Sequence, residues 1–539
     1  MKRHQGLYIL FFICMIYACA NRVTPTGGAK DVKPPVIVTM VPPNYSVNFN
    51  GRGVQIKFDE YIQLNDLQKQ MIISPLMDPA PVITARKRSL IIELPKELRG
   101  STTYNINFGN AIVDIHENNA LESFQYVFSS GPVLDSLFCK GKAVDAYKQK
   151  GEKGISILLY RHFADSLPLK TKPDYFARTN ENGEFKITNI SAGSYMIVAL
   201  NDKNGNYICD SPQEEAISLN KSISPDTGDV LLSYFKALPN DLYIKKTSSI
   251  IDRKWSILMN KPSDAVTIKP LDDQQPVYLE SWSVYKDTVL VWCADTIKDT
   301  LYIQVLNNDV VVDTARIRLK AAAKVRGRGG DAVVSVKNIF LESYNCVNGL
   351  FPFSNPEILF HNPIQKLNTA NILLTADSVP VSNFKIIFID SIHRKFLINH
   401  QWKEGSRYKL MMIPGALTDF TGVINDTIEI VFNALAADDF GTLQLMISNL
   451  PGEKMQLQLM NGTENIVRQL KVDKEGKYEF KTLEPGKYRV ALLNDRNNNG
   501  RWDTGNYNNK IAPEEMFYFE EEITVRANWE LEQEWKVSH

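Results

Sequence analysis

The chain carries one sequence motif twice, about 290 residues apart. The first copy reads NDKNGNYICD from Asn201 to Asp210, and the second reads NDRNNNGRWD from Asn494 to Asp503. Upstream of both copies, at the same distances and without a gap, lie two further matched pairs: Gly183-Glu184-Phe185 with Gly476-Lys477-Tyr478, and Gly193-Ser194-Tyr195 with Gly486-Lys487-Tyr488. A fixed spacing of this kind marks duplicated structural units. The chain is therefore expected to contain two copies of one domain.

Short runs of alternating apolar and polar residues recur along the chain. In one of them Val54, Ile56 and Phe58 alternate with Gln55 and Lys57, and similar runs follow near residues 104, 126, 301 and 315. Alternation with a period of two predicts half-buried antiparallel strands, and many such strands predict β-sandwiches. At 539 residues, with no helical pattern of convincing length, the chain is predicted to be all-β with tandem β-sandwich domains.

The charge balance argues against a nucleic-acid partner. Lys and Arg number 61, and Asp and Glu also number 61, so the formal net charge is zero. A nucleic-acid-binding protein normally carries a basic excess. The stretch KVRGRGG from Lys324 to Gly330 is locally basic, but a solvated linker explains it better than a binding patch. We therefore expect no nucleic-acid partner.

The N-terminus predicts export. Lys2 and Arg3 precede an apolar run from Leu7 to Ala18, which is too short to span a bilayer and suits a signal peptide at residues 1–18. The run ends Ile16-Tyr17-Ala18-Cys19 and resembles a bacterial lipobox, in which the cysteine is acylated; an ordinary signal peptide is the alternative. The resemblance implies that Cys19 anchors the protein to the outer membrane, followed by a tether at residues 19–35. Whether the anchored protein faces the periplasm or the cell surface stays open.

The first folded segment resembles a known family. The residues that carry the resemblance are Pro42-Pro43-Asn44, Ile56 to Glu60, Ser101 to Tyr104 and Ile112-Val113-Asp114. They resemble the SbsA-type bacterial Ig-like domain, which occurs in Bacteroidetes lipoproteins. A later segment repeats these features, at Phe360 to Ile364, Gly405 to Tyr408 and Ala416 to Asp419. This implies a second Ig-like domain.

The duplicated unit resembles another family. Its order is an Asn-Gly turn or its equivalent, a strand, Gly-x-Tyr, a strand, and then Asn-Asp. This order resembles the prealbumin-like sandwich called carboxypeptidase regulatory-like or Cna-B-like. The resemblance carries no peptidase activity, because the catalytic unit is absent. The predicted domains are 36–131 (Ig-like), 132–225 (prealbumin-like), 226–322 (a β-sandwich of uncertain family), a linker at 323–335, 336–435 (Ig-like) and 436–539 (prealbumin-like).

The duplicated loops are candidate calcium sites. Oxygen-bearing side chains occupy positions one, three, five and nine, as they do in the first part of an EF-hand loop. These residues are Asp202, Asn204, Asn206 and Asp210 in the first loop, and Asp495, Asn497, Asn499 and Asp503 in the second. Position twelve is Gln213 or Asn506, so the bidentate acid of a strong site is missing. We expect either weak calcium binding or plain turns.

Enzyme signatures are absent from the sequence. The seven histidines form no HExxH pattern, and the chain contains no GxSxG, GxxxxGK or GxGxxG motif. Asp59-Glu60 is a carboxylate pair, but adjacent strand residues point to opposite faces, so a solvated turn is the better interpretation. Apart from Cys19, four cysteines lie in the predicted mature chain: Cys139, Cys209, Cys293 and Cys346. Four buried free thiols are favoured over a Cys139–Cys209 disulfide.

These features predict a non-enzymatic, lipid-anchored envelope protein with a structural, adhesive or scaffolding role. Its partners would be the membrane, through the lipid, and an envelope protein or a glycan. The alternative is a glycan-binding accessory lipoprotein of a nutrient-uptake system. A row of exposed aromatic side chains would favour that alternative, and its candidates are Trp282, Trp292, Trp402 and Trp502.

Overall fold

The computed structural model describes residues 30–538, except 211–213, 215–216, 237, 240, 252, 272–277, 294–299, 319–323, 328–329, 334–338 and 340. Cys19, the predicted signal peptide and most of the tether lie outside these residues. The described chain has 44 strands, two α-helices and two 3-10 helices, α1 (Leu67–Gln70), α2 (Leu167–Lys170), Thr369–Asn371 and Ala437–Asp439. The prediction of an all-β chain is confirmed. Within the described range, no helix has both the length and the apolar character that a membrane span requires.

The chain divides into two compact units. The first comprises residues 1–143, 151–214 and 220–232, and the second comprises residues 144–150, 215–219 and 233–539. Each unit is described by itself below.

The first sandwich of the first unit has three sheets around one core. Its strands are β1 (Ile37–Val41), β2 (Gly53–Phe58), β3 (Ile62–Leu64), β4 (Ile72–Ser74), β5 (Val82–Arg86), β6 (Ser89–Glu93), β7 (Thr103–Asn107), β8 (Ile112–Asp114) and β9 (Gln125–Ser129). They pair in the orders β1-β2-β6-β5, β4-β7-β9 and β3-β8. As predicted, Val54, Ile56 and Phe58 of β2 are buried, while Gln55 and Lys57 are exposed.

A single carboxylate organises the turn after β8. The Asp114 side chain accepts hydrogen bonds from the backbone N–H groups of Glu117, Asn118 and Asn119 at 2.6, 3.1 and 2.9 Å. Burial by itself raises the pKa of Asp114, but these N–H donors outweigh it and hold the pKa below its ordinary value. The motif aspartate of this segment therefore has a structural role, as the cap of a tight turn.

The same unit contains the first copy of the duplicated domain. Its strands are β10 (Leu137–Asp145), β11 (Ser156–Tyr160), β12 (Tyr175–Arg178), β13 (Glu184–Ile190), β14 (Tyr195–Leu200), β15 (Ile217–Ser218), β16 (Lys221–Ile223) and β17 (Asp229–Phe235). Of these, β15 and the C-terminal ends of β10 and β17 are assigned to the second unit. β14 pairs with β11 and β16, β11 also pairs with β12, and β10 pairs with β13. All six residues of β14 are buried, because side chains cover both of its faces.

In the second unit, a two-sheet sandwich and a small hairpin come first. Their strands are β18 (Ile244–Ile251), β19 (Lys254–Met259), β20 (Val266–Pro270), β21 (Tyr278–Trp282), β22 (Thr288–Cys293), β23 (Thr300–Asn307), β24 (Val310–Arg318), β25 (Lys324–Gly327) and β26 (Gly330–Val333). The sandwich sheets have the orders β18-β19-β22-β21 and β20-β23-β24. The hairpin β25-β26 falls in the predicted linker.

The next sandwich repeats the strand orders of the first one. Its strands are β27 (Leu341–Tyr344), β28 (Glu357–Phe360), β29 (Ile364–Leu367), β30 (Ile372–Ala376), β31 (Val379–Val381), β32 (Lys385–Phe388), β33 (Lys395–Asn399), β34 (Arg407–Met412), β35 (Leu417–Asp419) and β36 (Ile428–Asn433). The orders β27-β28-β33-β32, β30-β34-β36 and β29-β35 match β1-β2-β6-β5, β4-β7-β9 and β3-β8. Asp419 caps its turn as Asp114 does, accepting from the N–H groups of Thr421 and Val423.

The last sandwich repeats the pairing of the first duplicated domain. Its strands are β37 (Gly441–Ser448), β38 (Met455–Asn461), β39 (Ile466–Val472), β40 (Gly476–Leu483), β41 (Gly486–Asn494), β42 (Met516–Tyr518), β43 (Ile523–Val525) and β44 (Glu530–Lys536). β41 pairs with β38 and β43, β38 also pairs with β39, and β37 pairs with β40. These pairs correspond one to one with β14-β11, β14-β16, β11-β12 and β10-β13, so the duplication seen in the sequence is also a duplication of topology.

Candidate functional site

The two Asn-Asp loops have the same internal hydrogen bonds. In the second loop, the amide Nδ2 atoms of Asn497 and Asn499 donate to Oδ2 of Asp503 at 2.6 and 2.7 Å. In the first loop, Nδ2 of Asn204 and of Asn206 donate to the carboxylate of Asp210 at 3.2 and 2.9 Å. Positions three, five and nine, which the sequence singled out, are therefore brought together in both loops.

The aspartate at position one of each loop accepts hydrogen bonds from backbone N–H groups of the same loop. The Asp495 carboxylate is fully buried and accepts from the N–H groups of Asn499 and Gly500, at 3.0 and 2.8 Å. The Asp202 carboxylate accepts from the N–H groups of Gly205 and Tyr207, at 2.8 and 3.0 Å. These carboxylates stabilise the turn by accepting backbone donors that would otherwise lack partners.

Each loop also has an acidic residue that the sequence reasoning missed. Glu514 accepts from the N–H groups of Arg496 and Asp503 at 2.8 and 3.0 Å, and Glu214 accepts from the N–H group of Asp210 at 2.8 Å. Burial and the charges of Asp503 and Asp495 raise the pKa of Glu514, against the lowering effect of its two N–H donors. The signal was present in the sequence, because a Glu-Glu pair follows both loops at residues 214–215 and 514–515.

The donor set fits a calcium site only in part. Each loop supplies two carboxylates, two amides and a nearby glutamate, which are the oxygen donors that calcium prefers. Most of these oxygens already accept hydrogen bonds, and in the part of the chain that the structure describes no group of three His, Cys, Asp or Glu side chains is arranged to hold a metal ion. Calcium binding therefore stays a prediction for both loops.

A calcium titration of the protein lacking residues 1–19 tests that prediction. If the loops bind, we expect half-saturation at about 10⁻⁴ to 10⁻³ M, the range of extracellular modules. Asp503→Asn should abolish the binding heat of the second loop, and Asp210→Asn that of the first. Neither heat nor a thermal shift at millimolar calcium would leave both loops as turns.

The second loop also contacts another sandwich of its unit. Arg501 donates from Nη1 to the carbonyl oxygen of Tyr285 at 2.7 Å and forms an ion pair with Asp264 at 3.3 Å. The indole N–H of Trp502 donates to the carbonyl oxygen of Glu514 at 2.7 Å, and its ring lies 5.2 Å from that of Tyr147. The last sandwich is thus held against the sandwich of β18–β24, which is not its neighbour in the sequence.

The four tryptophans proposed as a glycan platform do not form one. Trp292 is fully buried, and Trp282, Trp402 and Trp502 are half-buried. Trp402 packs against Tyr408, with ring centroids 4.8 Å apart. The aromatic row that would favour the glycan-binding alternative is therefore not seen among these four residues.

The carboxylate pair Asp59-Glu60 and one cavity of the second unit complete the candidate sites. Asp59 is exposed and accepts from the N–H group of Val36 at 2.8 Å, and burial and neighbouring carboxylates raise the pKa of Glu60. A cavity of about 300 Å³ lies beside Trp292, lined by Leu279, Trp292, Pro363, Ile364, Gln365, Ser391, Ile392, His393 and Phe420. This lining has one histidine and no carboxylate, so it offers no acid–base pair.

The structure describes the four cysteines that the sequence analysis expected to be thiols. Cys139, Cys293 and Cys346 are buried, Cys209 is half-buried, and none forms a disulfide. Burial raises the pKa of Cys139 to about 12, and it raises the pKa of Cys209 and of Cys346 to about 11. The thiols of Cys139, Cys209 and Cys346 are therefore expected to stay protonated at neutral pH.

A family comparison supports the first resemblance. The family profile described as a bacterial Ig-like domain matches residues 31–130, about a fifth of the chain. The resemblance of the first sandwich to a bacterial Ig-like domain is confirmed. No curated protein matches the chain.

Solved structures give only distant likenesses. The Bacillus anthracis TIE protein is 12% identical over 95% of this chain and 76% of its own, with a TM-score of 0.14. BcpA, the major pilin subunit of Bacillus cereus, is 11% identical over 74% and 98%, with a TM-score of 0.14. The Bacteroides ovatus mixed-linkage glucan utilization locus protein SGBP-B is 13% identical over 73% and 98%, with a TM-score of 0.18. Scores this low carry no inference about this chain.

Proposed function

We propose that this protein is a non-enzymatic, lipid-anchored scaffold of the cell envelope, whose tandem sandwiches hold a distal surface away from the outer membrane. The observation that carries the proposal is the construction of the joints between sandwiches. A scaffold must keep its domains in fixed positions, and domains connected only by linkers move freely. Here, within each unit, side chains from different sandwiches are buried against one another.

In the second unit, the joint between the sandwich of β18–β24 and that of β27–β36 is a group of five residues, which we call the Trp292 cluster: Lys254, Trp292, Glu342, His361 and Arg394. The buried Trp292 ring lies 4.6 Å from the Arg394 guanidinium and 5.2 Å from the Lys254 ammonium. Its indole N–H donates to the carbonyl oxygen of His361 at 3.2 Å. Lys254 lies beside Trp292 in the same sheet, so the contact of the ring with Arg394 is the one that crosses the joint, and a cation–π contact of this kind stabilises it.

One carboxylate is the shared counter-charge of the two cations in the cluster. Oε2 of Glu342 accepts from Lys254 at 3.0 Å and from Arg394 at 2.7 Å, and Nδ1 of His361 lies 3.2 Å from it. Burial and the charges of Lys254 and Arg394 lower the pKa of His361, although Glu342 raises it. Lys254 and Arg394 are nearly inaccessible to solvent, so this joint requires its partner charge.

In the first unit, the Ig-like sandwich and the duplicated domain are joined in a similar way. Asn105 is buried and donates from Nδ2 to Thr188 and Asn189 at 2.9 and 3.0 Å. Arg99 forms an ion pair with Asp174 at 3.0 Å. These contacts support a scaffold in which the sandwiches within each unit do not swing independently of one another.

Anchoring is tested first. Cys19→Ser should move the protein from the membrane fraction to the soluble fraction and abolish its labelling by a palmitate analogue, whereas Cys14→Ser, within the predicted signal peptide, should change neither. Membrane retention of the Cys19→Ser protein without label would contradict a lipid anchor.

Position and partners are tested next. Protease treatment of intact cells should degrade the protein if it faces outward and leave it intact if it faces the periplasm. Soluble protein should then be assayed for binding to envelope proteins, peptidoglycan and glycans. Hydrolytic turnover of any of these substrates would contradict the non-enzymatic proposal, and no binding in any class would remove its adhesive form.

A further inference from the structure

The cavity beside Trp292 lies where two sandwiches of the second unit meet. Leu279 and Trp292, which pair in β21 and β22, line it from one sandwich, and Pro363, Ile364 and Phe420 line it from the second Ig-like sandwich. Its volume of about 300 Å³ is at the lower end of the range for small-molecule sites, which often lie between domains. None of the described residues that line it is an acid, a lysine or an arginine. The cavity therefore suits an uncharged molecule.

A long turn of the second Ig-like sandwich supplies the rest of the wall. The hairpin β32-β33 closes at the pair Phe388 and Phe396, with seven residues between them, and residues 391–393 of this turn line the cavity. The corresponding hairpin β5-β6 of the first Ig-like sandwich closes at Arg86 and Ser89, with two residues between them. The cavity is therefore a feature of this copy and not a general consequence of the Ig-like fold.

The long turn is held in place by its own hydrogen bonds. The Asp390 carboxylate accepts from the backbone N–H groups of Arg394 and Lys395 at 2.9 and 2.8 Å. The carbonyl oxygen of His393 accepts from the N–H group of Ile364, on the neighbouring wall, at 3.0 Å. A site whose walls are already ordered avoids the entropic cost of ordering them when a ligand binds.

The polar groups of the lining lie at its solvent-exposed side. Ser391 and Gln365 are exposed, and within the described chain neither side chain has a hydrogen-bond partner. The buried part of the lining is apolar and includes the aromatic residues Trp292 and Phe420. A ligand that fits this distribution has a flat apolar body, which contacts the aromatic residues, and one or two polar atoms at the mouth.

The volume and the few polar groups narrow the class of ligand. A cavity of about 150 Å³ holds one benzene ring, so about 300 Å³ accommodates one or two fused rings. A saccharide would leave most of its hydroxyl groups without partners against this wall, at a cost in free energy. We infer that the cavity binds a small, uncharged ring compound, with its polar group towards Ser391 and Gln365. The inference goes beyond the proposed scaffold and does not depend on it.

Calorimetric titration of the chain from residue 20 onward tests the inference, with indole and coumarin as the probes and glucose as the polar comparison. At least one of the two ring compounds should bind saturably with one site per chain. It should also raise the melting temperature of the second unit, because it binds the folded state alone. Glucose should do neither. If neither ring compound binds at millimolar concentration, or if glucose binds in their place, the inference is wrong.

Two variants of the long turn locate the site. Ile392→Glu should weaken binding of the ring compound at least about tenfold, because it places a charge in the apolar wall. The matched control is Ile389→Glu in the same turn, since Ile389 is 41% exposed and does not line the cavity. The control should bind like the wild type, and equal weakening by both variants would overturn the assignment.

A third variant separates loss of the site from loss of the fold. Ser391 is exposed, so Ser391→Trp should leave thermal unfolding of the free protein unchanged while its indole ring blocks the mouth of the cavity. Binding of the ring compound should then be lost. Undiminished binding by Ser391→Trp would place the ligand elsewhere and overturn the inference.

Discussion

Replacing Glu342 with alanine is expected to destabilise the second unit by about 2–4 kcal/mol, somewhat below the usual range for breaking a buried ion pair because the side chain of Glu342 is 31% exposed. The change removes the acceptor of Lys254 and Arg394 and leaves two buried cations without a counter-charge. Calorimetry should show a fall of roughly 5–15 °C in the melting temperature of the transition that includes these sandwiches.

The matched control is Glu429→Ala in the same sandwich. Glu429 pairs with Lys409 at 2.8 Å, but both side chains are more than two-fifths exposed. Exposed pairs of this kind contribute about 0–1 kcal/mol, so the control should melt within a few degrees of the wild type. If the two variants melt together, the Trp292 cluster is not a stabilising joint.

The effect of Glu342 should depend on pH in a defined direction. Burial raises the pKa of its carboxyl, but the hydrogen bond from Lys254 and the charges of Arg394, Lys254 and His361 outweigh burial and lower it. A carboxyl with a lowered folded pKa contributes stability above its unfolded pKa and loses that contribution as the pH falls through the folded value. The free energies of unfolding of the wild type and of Glu342→Gln should therefore differ most near neutral pH and become similar in acid. If the two proteins differ in stability as much in acid as near neutral pH, the charge of Glu342 is not the source of the difference.

Strand patterns could be predicted from the sequence because burial of one sheet face imposes a period of two on neighbouring residues. The alternation in β2 is an example. The matched loops were found for a similar reason, since their ligand-like residues lie within ten positions of one another. Local spacing is readable without knowledge of the fold.

The Trp292 cluster could not be predicted in this way. Lys254, Glu342 and Arg394 lie on separate strands and turns, and each has the sequence context of a solvated surface residue. Their burial results from the packing of two sandwiches, which no local pattern records. Glu514 was missed for a different reason, because the second loop has a longer connection to its Glu-Glu pair than the first and the fixed spacing ends at Asp503.

The duplicated domains should tolerate the same substitution very differently. Gly183→Ala is expected to cost about 3–5 kcal/mol, in the range of severe point mutations. Gly183 has a φ of 78°, and a Cβ atom there would lie 2.4 Å from the carbonyl oxygen of Ala143 and 2.5 Å from Cα of Gly151. Neither atom belongs to a flexible side chain, so the backbone of β10 or of the neighbouring turn must move.

Two controls separate crowding from backbone strain. Gly205 has a φ of 75°, almost the same as that of Gly183. Gly476 is the counterpart of Gly183 in the second copy and has a φ of 148°. A Cβ atom at Gly205 or at Gly476 would meet nothing within 4 Å. Gly205→Ala and Gly476→Ala should each cost only about 1 kcal/mol, from strain at positive φ. Calorimetry of the three variants checks the ranking. If Gly205→Ala is as damaging as Gly183→Ala, positive φ alone would account for the effect, and the close approach of β10 to the turn would not be what requires glycine there.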